Sequence, residues 1–240
     1  MAFPTISDAD TQSGVQTSNS TSWTLTYPTN LATDDLIVAF VATDGNTAGT
    51  WPADWESAVA PGVGAVSILW AKKKSLGTET GNFTLTLSAN EQGAWRIFRI
   101  PASTWEGTLG TNYGNTGAGD GAVCAVSGTG ASANPDPPDL NPVNWATEDT
   151  LWFAACALDT SRTISVYPLA DRNTAGVSGG ANGATLGLCT TISAVGNLDP
   201  GAFTISASDD WETVTVAVRP AAPAAPRVPR FTPYPQLLPR

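Results

Sequence analysis

Apolar and polar residues alternate with period two in several short stretches of the chain. Trp23-Thr24-Leu25-Thr26-Tyr27 alternates and stops at Pro28, and Phe83-Thr84-Leu85-Thr86-Leu87 alternates without a break. Other stretches are continuous apolar runs: Asp35–Ala42, Ala65–Ala71 and Ala94–Ile100, then Thr150–Leu158, Thr185–Ile192 and Thr213–Val218. Thr163–Tyr167 and Phe203–Ala207 complete the set. Gly, Asn, Asp and Pro punctuate nearly every gap, which is the signature of strands joined by turns. No segment sustains a helical period. The pattern predicts an all-β protein.

The strands repeat in order. Thr33-Asp34-Asp35-Leu36 leads into one apolar run and Thr147-Glu148-Asp149-Thr150-Leu151 into another, ending near Asp44 and Asp159. Trp51-Pro52 parallels Tyr167-Pro168, and Val66–Lys72 parallels Thr185–Thr190. Gly81–Ser88 parallels Gly201–Ser208, each followed by an acidic turn, Asn90-Glu91 or Asp209-Asp210. Each half closes on a tryptophan, a last strand and a proline: Trp95 to Pro101, and Trp211 to Pro220. Four or five strands per half cannot cover both faces of a stable sheet, so the economical arrangement packs the halves face to face. The expectation is one jelly-roll-like sandwich domain over 1–220, with repeat halves of about 22–101 and 132–220. Phe83 and Phe203 should be equivalent and share one core. Between the halves, about Gly107–Val143 reads as a loop, and Asn134-Pro135-Asp136-Pro137-Pro138-Asp139 as a rigid extended crossing.

Composition narrows the partners. The net charge is −10, and charged residues are only 13% of the chain, so Thr, Ser, Asn and Gly must supply the polar surface. An acidic chain does not suit nucleic acid, whose phosphates call for clustered Lys and Arg. The dense basic run Lys72-Lys73-Lys74 ends a strand, where lysines are expected to face solvent or guard an edge. No stretch approaches the ~20 apolar residues of a membrane span. Met1-Ala2-Phe3-Pro4-Thr5 has no signal-peptide character, so the expected site of synthesis is the cytosol, with no membrane partner.

Candidate chemistry is sparse. There is no histidine, which removes the commonest general base and the usual base of a serine triad. Cys124, Cys156 and Cys189 lack metal-ligand spacing and read as small buried hydrophobes. Gly117-Ala118-Gly119-Asp120-Gly121 lacks the lysine and helix of a phosphate loop. Asp34-Asp35, Glu148-Asp149 and Asp209-Asp210 recur at matching places in the two halves, which points to turn chemistry rather than to a glycosidase pair. Asp44-Gly45-Asn46 lacks calcium-loop spacing, so no metal or cofactor is expected. Nine tryptophans are many for this length. Trp70, Trp95, Trp152 and Trp211 fall in or beside strands. Trp51, Trp55 and Trp105 sit near loops, where they either stack on sugars or plug the ends of the sandwich; the Trp51/Tyr167 correspondence favours plugging.

From Ala221 onward the composition shifts to prolines about every third residue, which favours an extended polyproline arm over 221–240. The arm holds Arg227, Arg230 and Arg240 and no acid, leaving −13 on the rest of the chain. It also carries Phe231, Tyr234, Leu237 and Leu238, more large apolar residues than a plain linker needs. With Arg227 and Arg230 these are the expected partner-binding residues, ordered only against another chain.

Ser132-Ala133-Asn134-Pro135-Asp136-Pro137-Pro138 and Asp149-Thr150-Leu151-Trp152 resemble a family of virion-associated β-sandwich proteins encoded by tailed bacteriophages. Phe203-Thr204-Ile205-Ser206-Ala207-Ser208 and Ala217-Val218-Arg219-Pro220 extend the resemblance, which covers about residues 4–220. It implies a virion location and a structural role, and it carries over no catalytic residues. The leading expectation is a capsid decoration (cement) protein that binds the major capsid protein or other virion proteins and neighbouring copies of itself. The alternative is a tail-fibre or receptor-binding module for host glycans, and a glycan-cleaving enzyme comes third.

Overall fold

A computed structural model describes residues 3–59, 65–109, 122–179 and 183–222. Among them every regular element is a strand, and no helix is long and apolar enough to cross a membrane. The first half supplies β1 (Gln12–Thr26), β2 (Thr33–Thr43), β3 (Gly49–Thr50), β4 (Glu56–Val59), β5 (Ser67–Leu76) and β6 (Asn82–Ile100). The second supplies β7 (Val123–Ser132), β8 (Asp149–Leu158), β9 (Ile164–Val166), β10 (Thr174–Val177), β11 (Thr185–Ala194), β12 (Thr204–Ile205) and β13 (Asp209–Val218).

Each half makes its own antiparallel sheet. The first has the order β1-β6-β2-β5-β4, and the second, read from its matching edge, β7-β13-β8-β11-β10. The orders are the same, so β2 corresponds to β8, β6 to β13 and β5 to β11. The sheets stack with β2 against β8, β5 against β13, β6 against β11 and β1 against β10. That is a pseudo-twofold sandwich of two similar halves. Its connections are simpler than those of a jelly roll, because no strand crosses from one sheet to the other.

Packing explains the continuous apolar runs. Leu36, Val38 and Phe40 of β2 face inward and meet Phe153 and Ala155 of β8, with the Phe40 and Phe153 rings 5.5 Å apart. Ile37, Ala39 and Val41 face outward, yet they too are buried. A flap covers the outer face of each sheet, made of the far ends of its own strands in the first and of a separate strand pair in the second, so the central strand is covered on both sides and reads as an unbroken run. The first flap is the early part of β6 with β1 and β3; the second is the β9–β12 pair with the chain around Ala133–Pro135. The result is one central core and two outer ones.

Phe83 and Phe203 therefore do not share a core. Phe83 lies in the first outer cluster beside Trp51, 6.3 Å away, and Phe203 in the second beside Tyr167, 5.9 Å away. They occupy matching flaps, but the outward phase of each flap separates them by the thickness of both sheets.

The halves also differ in detail. Asn90-Glu91, expected as a turn, lies within the 19-residue strand β6, which absorbs the bend by register shifts against β1. The matching stretch of the second half breaks into β12 and β13. The expected loop over Gly107–Val143 contains β7, disguised by its small residues. Those residues have a steric purpose: a Cβ on Gly130 would come within 2.5 Å of the Trp211 indole, as one on Gly14 would come within 2.6 Å of Trp95. Each tryptophan lies flat on a glycine of the neighbouring edge strand. Large side chains there would lift the ring off its sheet.

Candidate functional site

The loop tryptophans give no sugar-binding platform. Trp51 and Trp55 are 8% and 7% exposed, and their rings pack 5.1 Å from each other and against Phe83. Trp105 is 1% exposed and donates its indole N–H to the Asp34 carbonyl at 3.1 Å. All three plug the fold, because rings this large are the cheapest way to fill the space beneath a flap or a loop. Of the two roles open to Trp51, Trp55 and Trp105, their burial fits the favoured plugging and not the alternative of stacking on glycans.

The lysine run departs further from expectation. Lys72 and Lys73 are fully buried, because β5 lies inside its sheet between β2 and β4 rather than at an edge. Lys72 points between the sheets, where its ammonium donates to the carbonyls of Leu109 (2.6 Å) and Val123 (3.4 Å) and lies 3.6 Å from Glu56. Burial pushes its pKa down. Lys73 points to the outer face and pairs with Asp54 and Glu79. Only Lys74 is appreciably exposed, and it pairs with Asp34 at 2.9 Å.

The paired carboxylates act as clamps. Asp35 accepts from the backbone N–H groups of Ala32 and Ala102 and from Arg99, which also binds Asp10. In the other half Glu148 accepts from Arg219 at 2.6 Å, and Asp209 from Thr160 and Arg162. Both halves thus tie the start of a central strand to an arginine at the end of its neighbour. Charged hydrogen bonds of this kind contribute roughly 1.5–3 kcal/mol each where they are buried. The three cysteines are buried and reduced, with Cys124 pushed up to about 11 and Cys189 to about 12 by desolvation. Among the described residues no group of three or more His, Cys, Asp or Glu is arranged to hold a metal ion.

One end of the sandwich concentrates acid that sequence spacing did not reveal. Asp44 and Asp159 directly follow β2 and β8 there, joined by Glu91, Asp209 and Asp210. Asp44 accepts from the Gln92 N–H at 2.6 Å and shares a hydrogen bond with Glu91. Desolvation, then that contact, raises Glu91 to about 7. Desolvation followed by the charges of Asp209, Asp210 and Asp44 raises Asp159 to about 6. The repeat itself was the available signal: a strand ending in Asp in each half brings both carboxylates to one end.

Arg227, Arg230, Phe231, Tyr234, Leu237 and Leu238 lie outside the described residues, as does Gly117–Gly121. Comparison of the chain with protein-family models, curated proteins and solved structures finds no match. The site must be read from its own chemistry.

Proposed function

We propose that the chain is a virion structural protein of a tailed phage, a capsid decoration protein that attaches to the shell and to neighbouring copies through its C-terminal arm. The separation of charge carries this reading. The arm brings +3 and four large apolar side chains, while the rest of the chain carries −13. Part of that negative charge is crowded at the end formed by Asp44, Glu91 and Asp159. Arginines delivered there by a second copy would relieve like-charge repulsion, and a proline-restricted arm loses less freedom on docking than a flexible one. The buried tryptophans take away the feature that favoured a glycan-binding tail module.

Truncation after Pro220 tests it. Virions lacking the protein are mixed with full-length or truncated chain, and occupancy is measured across a salt series. The truncated protein should melt at nearly the same temperature yet bind at least about tenfold more weakly, a difference of roughly 1.4 kcal/mol. Binding of the full chain should weaken as salt screens the arginines. Full occupancy by the truncated chain would overturn the role of the arm, and failure of both forms to bind virions would overturn the reading itself.

A further inference from the structure

We propose that the open side of the sandwich between β1 and β10 is a cleft for an extended peptide strand of a partner protein, one that carries a carboxylate to Arg96. The inference is independent of the arm. It rests on a cavity, two free strand edges and one unmatched cation.

Gln12–Gln16 of β1 and Thr174–Val177 of β10 are the outermost strands of the two sheets, and they lie against each other on the same side. Among the described residues nothing pairs with the outer edge of either, so both offer backbone N–H and C=O groups to an incoming strand. Between them is a cleft of about 320 Å³. Val15 and Val177, 49% and 41% exposed, stand among its lining residues and are two of the most exposed large apolar side chains in the described structure. Exposed apolar residues that gather at one cleft mark an interaction site more often than scattered ones do.

Arg96 supplies the chemistry. It projects from β6 between the sheets and lines the cleft, with its guanidinium 5.7 Å from the Phe98 ring and donating to the Thr174 hydroxyl. Its Nε is buried and has no hydrogen-bond partner. Among the described residues, Arg99, Arg162, Arg172, Arg219 and all three lysines have a carboxylate within ion-pair distance, and Arg96 has none. The nearby Asp8 is taken by Arg172 at 2.8 Å. No carboxylate lines the cleft.

A partly buried guanidinium without a counterion is costly, and a carboxylate gives it a short charge-assisted bond. An added strand alternates its side chains, so an Asp or Glu directed inward to Arg96 leaves its neighbours directed outward. Residues two positions away fall on the same side and meet Val15, which pairs with the inward-facing Ala94; Val177 pairs with Thr185 and belongs to the outer face of its sheet, at the rim of the cleft. The preferred partner segment is therefore an acidic residue spaced by β-branched or other apolar residues at alternate positions. The chain's own arm has no acidic side chain and does not fit this description.

The test is selection of a random nonapeptide library on the full-length chain. Enriched peptides should carry an Asp or Glu with β-branched residues two positions away. Binding should slow amide hydrogen exchange at Gln12–Gln16 or Thr174–Val177. Arg96→Gln should weaken the best peptide about tenfold, and changing the peptide's acid to its amide should weaken binding equally but have no further effect on the variant. If Arg96→Gln does not fold, the acid-to-amide change against the unaltered protein tests the charge by itself. Absence of enrichment, enrichment without an acid, equal binding of acid and amide peptides, or protection elsewhere would each overturn the proposal. So would butyrate binding as tightly as the peptide, which would make the cleft a pocket for small carboxylates.

Discussion

Lys72 and Arg96 occupy comparable places on opposite sides of the sandwich. Each projects between the sheets from a strand second from an edge, β5 beside β4 and β6 beside β1. Lys72 is fully enclosed, and the chain covering that side presents Leu109 and Val123 carbonyls and the Glu56 carboxylate to it. Arg96 is partly exposed, retains an unpartnered Nε and faces a cleft. The difference lies in what crosses the side rather than in the cation. The segment Pro101–Leu109 leaves β6 and runs over to the far side, where Glu106 bonds to Arg219 at the end of the second half. On the Arg96 side the chain before β1 is tied to the second half through Ile6 and Asp8, both held by Arg172, but none of those residues lines the cleft. A near-symmetric frame with one side closed by its own chain and the other left open is suited to receive a strand from elsewhere.

Three substitutions sharpen or break this comparison. Lys72→Ala should be the most damaging, at about 3 kcal/mol in urea unfolding, because it strands two buried carbonyls and opens a cavity. A cost below about 1 kcal/mol would mean that water satisfies those carbonyls and that the side is not closed.

Glu212, a third charge enclosed between the sheets, should have a smaller effect that depends on pH. It is fully buried, accepts from the Ile68 N–H at 2.7 Å through one oxygen and leaves the other unbonded. Desolvation raises it from the ordinary 4.5 to about 7. The folded protein thus holds the proton where the unfolded chain has lost it, and stability falls as pH rises from about 4.5 to 7. Glu91 and Asp159 act in the same direction. Asp10 and Glu79, held down to about 2, act oppositely, and their contribution is lost as pH falls through the range from 4.5 to 2. Chemical denaturation should therefore show greatest stability near pH 4 to 5. Glu212→Gln should stabilise the protein by about 1–2 kcal/mol at pH 8 and leave it unchanged at pH 4. Equal effects at both pH values would show that Glu212 is ionised throughout.

Arg96→Met should be nearest to neutral, within about 1 kcal/mol and tending to stabilise, since it replaces an unpaired cation with an apolar chain of similar reach. A loss comparable to that of Lys72→Ala would show that Arg96 holds the sheets together and would undo the contrast between the two sides.

Much of the frame was legible in the chain. Alternation and apolar runs located β2, β5, β8, β11 and β13 within a few residues, because buried strands need unbroken apolar character. The Trp51-Pro52 and Tyr167-Pro168 correspondence followed from local chemistry and reappears as matching chain after β3 and β9. The strands β7 and β10 went unseen, since Gly and Ala residues carry little strand signal and are present to admit Trp211 and the approach of the opposite sheet. Of the candidate sites, the acidic pairs could be read as turn clamps, whereas Arg96 could not be singled out from any other arginine.

The sequence by itself determined that this is an all-β chain of two repeated halves with its charge divided between body and arm, because periodicity, turn residues and formal charge are local properties. Tertiary structure alone decided that each sheet carries a flap over its outer face and that Phe83 and Phe203 enter different outer cores. It also decided that Lys72 meets carbonyls while Arg96 meets open space. Each of these depends on which distant segment arrives opposite a given face. Alternation fixes only that a strand has two faces; the packing of the other half, some 115 residues away at Leu36 and Leu151, fixes what each face touches.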